Sequence, residues 1–380
     1  MRPKLIPGMV LAFSGAIAAS GSREATPKND LSCKVFPLKA TLGIDLRFHS
    51  GFDVAVPFRE IEGAGNNLTI RFHVTPKDHG RPPVAFAQRI DVPPIKMRYG
   101  GDVKLRGTFD LGEGTYHIDW QMQDRGGRSC SNSWDVEAAL GAKERQIEVA
   151  LPRDTVRYTR EDPFAPEPFI RRRPDESRAN VKILVNLEPQ NPKATALHPL
   201  DTAWLVSIVR SIARNAHIGK LSLTAVNIRA QTVFYRQAYS DRIDFPALGR
   251  AVKTSSFGTI ESNRLARRHG EAEFLTKVIR DETKDDSHPD ALIFVGPKIL
   301  MESNISQRDL STMGEIDYPV FLLNYNRAWQ AAPGDSIGRV VKFFDGREYT
   351  ISSPRDLWNS VTEMTDRISQ AKQARASGGL

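Results

Sequence analysis

The residues best suited to chemistry follow apolar runs in the second half of the chain. Residues 181–187 (Val-Lys-Ile-Leu-Val-Asn-Leu) read as a buried strand, and Asn186, Glu188 and Gln190 lie at its end. Residues 291–295 read as another core strand, with Lys298 just beyond it, and the loop Ser255-Ser256-Phe257-Gly258-Thr259 offers Thr259. Ligands of open α/β sheets bind outside the carboxyl ends of the strands, which makes Asn186, Glu188, Gln190, Thr259 and Lys298 the candidate binding residues. A hard divalent cation needs several oxygen ligands, carboxylates among them. Only Glu188 supplies one here and Lys298 would repel the ion, so no metal and no cofactor is expected. Glu188 with His198 and Asp201 could in principle run a hydrolysis. Asp201, however, is explained as a helix-start residue stabilised by the helix dipole, and His198, before Pro199, as a loop residue. No P-loop, G-x-G-x-x-G, G-x-S-x-G or H-E-x-x-H occurs, and no catalytic residue is assigned. His49, His73, His79 and His117 have no metal-binding spacing and read as half-exposed strand or loop residues. Asp285, Asp286, His288 and Asp290 read as an acidic surface turn.

The elements that must position these residues alternate between strand and helix. Residues 201–215 carry Trp204, Leu205, Ile208, Val209 and Ile212 at helical spacing. Residues 221–228 and 232–239 look like a strand pair, residues 245–252 a short helix and residues 263–281 a longer one. Residues 320–324 and 339–344 read as a third and fourth core strand. Ser353-Pro354 opens a last helix whose stripe is Leu357, Val361, Met364 and Ile368, and the tail from Gln373 is expected to be disordered. Apolar strands alternating with amphipathic helices imply a doubly wound, mostly parallel sheet over residues 181–372.

Residues 31–151 follow a different rule, with period two broken by Gly and Pro. Leu68, Ile70, Phe72 and Val74 share one face of a strand, as do Tyr116, Ile118, Trp120 and Met122 after the turn Gly112-Glu113-Gly114. Several short strands at this spacing predict an all-β sandwich. Cys33 and Cys130 lie at its two ends. A disulfide between them would contribute on the order of 4 kcal/mol in the chain-entropy model, and two buried thiols are the alternative. Residues 152–180 hold five prolines among Arg, Asp and Glu and read as a Pro/Arg-rich linker, in which Phe164, Phe169 and Ile170 could dock on a neighbouring surface.

At 380 residues the chain exceeds what one core usually supports, in agreement with two domains. Its net charge of +8 is spread along the sequence without a nucleic-acid motif, so nucleic acid is not an expected partner. Arg2 and Lys4, the apolar run 5–19 and Ala16-Ile17-Ala18 form an export signal over residues 1–20. The run is short for a membrane span, so no transmembrane segment is expected in the mature chain; an uncleaved anchor is the competing reading.

Two resemblances follow from these residues. The strand–helix–hairpin–helix order over 181–372 resembles a von Willebrand factor A domain. That family places a metal-ion-dependent adhesion site at the strand ends, with D-x-S-x-S after the first strand, a later Thr, and an Asp after a further strand. Here Asn186-Leu187-Glu188-Pro189-Gln190 stands at the first position and Gly296-Pro297-Lys298 at the last, so the resemblance implies the fold without its metal. Gly114-Thr115-Tyr116-His117-Ile118-Asp119-Trp120 resembles a late strand of immunoglobulin-like bacterial accessory domains, and implies architecture only. The expectation is an exported (periplasmic or secreted) non-catalytic interaction or adhesion module of the cell envelope, with an envelope or extracellular protein as partner. An envelope hydrolase using Glu188, His198 and Asp201 is the alternative, and a small-molecule receptor would instead show a deep pocket at the strand edge.

Overall fold

The computed structural model describes residues 30–61, 66–78, 80–92, 101–159, 162–167, 177–189, 194, 197–255, 270–283, 288–301, 305–311, 316–325 and 335–378. The export signal expected over residues 1–20 lies outside them.

Strands β1 (Lys34–Leu42), β2 (Phe48–Pro57), β5 (Asp102–Leu111) and β8 (Val156–Tyr158) form one sheet in the order β1-β2-β5-β8. Strands β4 (Val84–Val92), β3 (Asn66–Pro76), β6 (Gly114–Gln123) and β7 (Ser129–Ala138) form a second, in the order β4-β3-β6-β7. A helical turn, α1 (Phe58–Ile61), follows β2. The pairings within both sheets are antiparallel. The alternation read from the sequence sends Leu68, Ile70, Phe72 and Val74 of β3 and Tyr116, Ile118, Trp120 and Met122 of β6 into one buried cluster. Phe52 of β2 meets Phe72 and Trp120 edge-on, at 5.3 and 5.4 Å between ring centroids. Such contacts add about 0.5–1.5 kcal/mol to the burial itself. Cys33, just before β1, is bonded to Cys130 of β7 with Cα atoms 6.2 Å apart, so the disulfide staples one sheet to the other.

The second half builds one six-stranded sheet in the order β11-β10-β9-β12-β13-β14. Its strands are β9 (Ala179–Asn186), β10 (Ile218–Asn227), β11 (Thr232–Ser240), β12 (Ala291–Gly296), β13 (Val320–Tyr325) and β14 (Arg347–Ile351). All pairings are parallel except β10–β11, a hairpin that leaves β11 as an antiparallel edge. β9, β12 and β13 are almost continuously buried because both their faces are covered. Helices α2 (Pro199–Arg214), α3 (Phe245–Ser255) and α7 (Pro354–Gly378) contribute to the core on one face. Helices α4 (Gly270–Thr283), α5 (Gln307–Ser311) and α6 (Ser336–Phe343) contribute to the core on the other. No helix among the described residues is long and apolar enough to cross a membrane.

Several sequence expectations change here. Residues 339–344, read as a strand, lie in α6 and its end. Ile337, Val340 and Val341 recur at helical spacing and are buried together, and the edge strand is β14, a few residues later. The linker is shorter than expected, because Val156 is buried in the sandwich and β8 pairs with β5. The last helix runs past Gln373 to Gly378. Lys372 donates to the Arg178 carbonyl at 2.6 Å and Arg375 to Asp290 at 2.9 Å, and these contacts pin the turns expected to be loose.

The two halves touch. Ile44, from the loop between β1 and β2, packs on the core of the α/β half, and Gln146 donates to Asn359 of α7 at 3.3 Å.

Candidate functional site

At the carboxyl edge of the parallel sheet, register aligns Asn186 of β9, Gly296 of β12 and Asn324 of β13. Both asparagines are buried, at 3% and 0% exposure. Asn186 Oδ1 accepts from the backbone N–H groups of Glu188 (3.3 Å) and Ile228 (3.4 Å), tying the end of β9 to that of β10. Gly296 lets the neighbours approach closely, since a Cβ there would stand 3.0 Å from the Asn186 Cβ. Asn324 Nδ2 donates to Glu348 Oε1 at 2.7 Å, and the Tyr349 carbonyl and Thr350 Oγ1 each lie 3.1 Å from it.

Two carboxylates of this edge, Glu188 and Glu348, are paired with cations, whereas both oxygens of the buried Asp335 carboxylate have no hydrogen-bond partner. Glu188, 2% exposed, accepts from Arg229 Nη2 at 2.8 Å. Burial pushes its carboxyl above the usual range, Arg229 pulls it back, and Glu271 raises it again. Lys298 Nζ lies 2.5 Å from Glu348 Oε1, both side chains being about one third exposed. Asp335, just before α6, is pushed up by burial and also feels Glu348 as a like charge and Lys298 as an opposite one. An added divalent cation would have to displace Arg229 from one carboxylate and Lys298 from the other.

Of the five candidates, Asn186 and Glu188 are brought together, and Lys298 stands across the sheet edge with Glu348. Gln190 and Thr259 lie outside the described residues. His198 caps α2 by accepting from the Leu200 N–H at 3.2 Å through Nδ1, and Asp201 is buried in the first turn of that helix. No hydrogen bond or ion pair among the described residues joins Glu188 to His198. Arg229, Glu348 and Asp335 were not singled out from the sequence. Arg229 follows the end of β10, and applying the strand-edge rule to β10 as well as β9 would have found it. Glu348 was hidden by the misplaced fourth strand.

A second charged cluster lies in the sandwich. Among the described residues, Asp45, His49 and Asp110 are the one group close enough to suggest a metal site. The geometry favours a proton instead. His49 Nδ1 is 2.9 Å from Asp110 and Nε2 is 2.9 Å from Asp45, so the two nitrogens point to different carboxylates and cannot share one ion. The Arg47 guanidinium, 3.4 Å from Asp110, adds a further positive charge. Burial lowers the His49 pKa, but hydrogen bonds to Asp110 and Asp45 outweigh it and hold the imidazolium up to about 10. His49 is thus a charged clamp, a more specific role than the half-exposed strand residue expected.

No family model and no curated protein matches the chain. Among solved structures, a Bacteroides uniformis β-glucuronidase aligns at 10% identity with a TM-score of 0.19, over 82% of this chain and 38% of that one. A Paenibacillus cycloisomaltooligosaccharide glucanotransferase aligns at 9% identity with a TM-score of 0.20, over 84% and 48%. The chain spans less than half the length of either, and likeness at this level carries no argument about fold or activity.

Proposed function

We propose that the chain is an exported, non-catalytic interaction module whose second half is a von Willebrand factor A-like domain working without a metal ion, with the immunoglobulin-like sandwich as spacer or second contact surface. The strand order β11-β10-β9-β12-β13-β14, with an antiparallel β11 edge, supports the family resemblance. The observation that carries the metal-free reading is the pairing at the strand edge, where Arg229 and Lys298 already satisfy Glu188 and Glu348. A domain of this kind would present its carboxyl edge to an envelope or extracellular protein, using Asn186, Glu188 and Lys298 as polar contacts. The inter-sheet disulfide is consistent with an oxidising compartment.

The test is thermal unfolding of the mature protein in EDTA and then in millimolar magnesium, manganese or calcium. A cation at 100 times its Kd would add about 2.7 kcal/mol. At about 2–4 °C per kcal/mol for a domain of 150–250 residues, that is a shift of roughly 5–10 °C. The expected result is no shift; a rise of that size would restore metal-bridged adhesion as the leading reading.

A further inference from the structure

The alternation that buries Phe72 and Val74 of β3 and Ile118 and Trp120 of β6 turns His73, His117 and Asp119 onto the outer face of the same sheet. Forty-four residues separate His73 from His117, so only strand pairing brings them together. In the β3–β6 register His73 stands directly opposite Asp119, and His117 lies two residues from Asp119 on the same strand. In the β6–β7 register His117 faces Asp135. Opposite residues have Cβ atoms about 4.5–5.5 Å apart, and diagonal ones, such as His73 and His117, about 7–8 Å. Two imidazoles and two carboxylates therefore share one open patch. The side chains of His117, Asp119 and Asp135 are 40%, 61% and 54% exposed, and His73 is exposed as well.

The two nitrogens of His117 meet different surroundings. Nδ1 lies 2.7 Å from Asp135 Oδ1, while Lys77 Nζ donates to the other oxygen of Asp135 at 2.6 Å. A carboxylate on one ring nitrogen is the usual outer partner of a metal-bound histidine, because it fixes the tautomer and leaves the second nitrogen its lone pair. That second nitrogen, Nε2, stands 3.3 Å from Asp119 Oδ1. Tetrahedral zinc, with bonds of about 2.0–2.1 Å to nitrogen and oxygen, sets neighbouring ligand atoms about 3.3–3.4 Å apart. His117 and Asp119 thus already span one edge of such a site. As the side chains stand only these two ligand atoms converge, and His73 completes the set by turning its exposed ring toward Asp119. At His49 the Arg47 guanidinium lies against both carboxylates, 3.9 Å from Asp45 and 3.4 Å from Asp110, and opposes a cation there.

We propose that His73, His117 and Asp119 form a surface site for a divalent transition-metal ion of the zinc class, with Asp135 positioning His117 and the fourth coordination position open to solvent. The two carboxylates match the charge of a dication. Imidazole ligands suit zinc, nickel and copper, whereas magnesium, calcium and manganese favour all-oxygen sites. The site in the sandwich is therefore independent of the metal-free strand edge, and of the magnesium, manganese and calcium measurement that tests it. The open position can hold water or a donor atom from a partner, as in zinc sites with three protein ligands.

The experiment is a calorimetric titration of zinc chloride into the full chain, free of any histidine tag, at neutral pH. One ion per chain is expected to bind. His73→Ala, His117→Ala and Asp119→Ala should each weaken binding at least tenfold, and Asp135→Asn by about 10–100-fold. His49→Gln should leave binding unchanged. Imidazole nitrogen NMR of the unaltered chain needs no variant to fold. On adding zinc, the signals of His73 and His117 should move, with the metal on Nε2 of His117 and the proton on Nδ1, a preference that Asp135→Asn should weaken. The proposal is overturned if the unaltered chain takes up no zinc, or if zinc moves other histidine signals and leaves these two in place. Binding that survives His73→Ala or His117→Ala unchanged also overturns it.

Discussion

The sandwich and the sheet handle buried charge in opposite ways. In the sandwich, one imidazolium sits between two carboxylates: His49 is clamped by Asp45 and Asp110, and Asp110, 1% exposed, also accepts from Thr159 at 2.7 Å. At the sheet edge Glu188 and Glu348 each have a long cationic arm, Arg229 for Glu188 and Lys298 for Glu348. The clamp is short-armed, cross-strand and rigid, and it orders the loop that carries Ile44 onto the other half. The edge pairs end on flexible cationic side chains, both about one third exposed, so they neutralise charge without fixing geometry as tightly. The sandwich also has the covalent staple. The described residues of the sheet have none, and hold together through two apolar cores.

Reduction sharpens that comparison most. Breaking Cys33–Cys130 should cost the sandwich on the order of 4 kcal/mol and the sheet nothing directly. Urea unfolding with and without reductant should then separate into two transitions, only the sandwich's moving. Equal loss in both would show that the Ile44 contact makes them one cooperative unit. Next, Asp110→Asn removes the buried half of the clamp and should cost about 3 kcal/mol, whereas Glu348→Gln at the exposed edge pair should cost under about 1 kcal/mol. Chemical denaturation at pH 7 measures both, and equal costs would erase the distinction drawn here.

Arg229→Ala should leave Glu188 buried without its cation, at a cost of about 2–3 kcal/mol at pH 7. The Glu188 pKa, raised already, then rises further, so the penalty shrinks as pH falls and the carboxyl takes up a proton. A pH-independent penalty would mean that Glu188 does not titrate there. The clamp itself also titrates. The folded His49 pKa of about 10 lies above its ordinary value of 6.5, so its contribution is complete below about pH 6.5 and is lost as pH rises through 10. Because the side chain is about one third exposed, that loss should be only about 1–2 kcal/mol. It is read as a fall in Tm between pH 7 and 10 that His49→Gln abolishes.

Much of the architecture was legible before any coordinate. Period-two alternation identified β3 and β6 because each strand buries a single face, and continuous apolar runs identified β9, β12 and β13 because they bury two. The strand edge could be named because chain direction fixes which end of a strand is its carboxyl end. The misreading of 339–344 has a physical cause. Val340-Val341 favours a strand locally, and only packing beside Ile337 under the sheet selects the helix. Residues 373–378 read as a tail because Asp290, the anchor of Arg375, is remote in sequence.

By itself, then, the sequence determined the two kinds of core and the disulfide-ready cysteine pair, since these depend on periodicity and on types of side chain. Which cation neutralises which carboxylate was decided only by the tertiary structure. Arg229 reaches Glu188 from 41 residues away, Lys298 reaches Glu348 from 50, and His49 meets Asp110 across a pair of strands. Such pairings depend on distance in space, to which sequence separation is no guide.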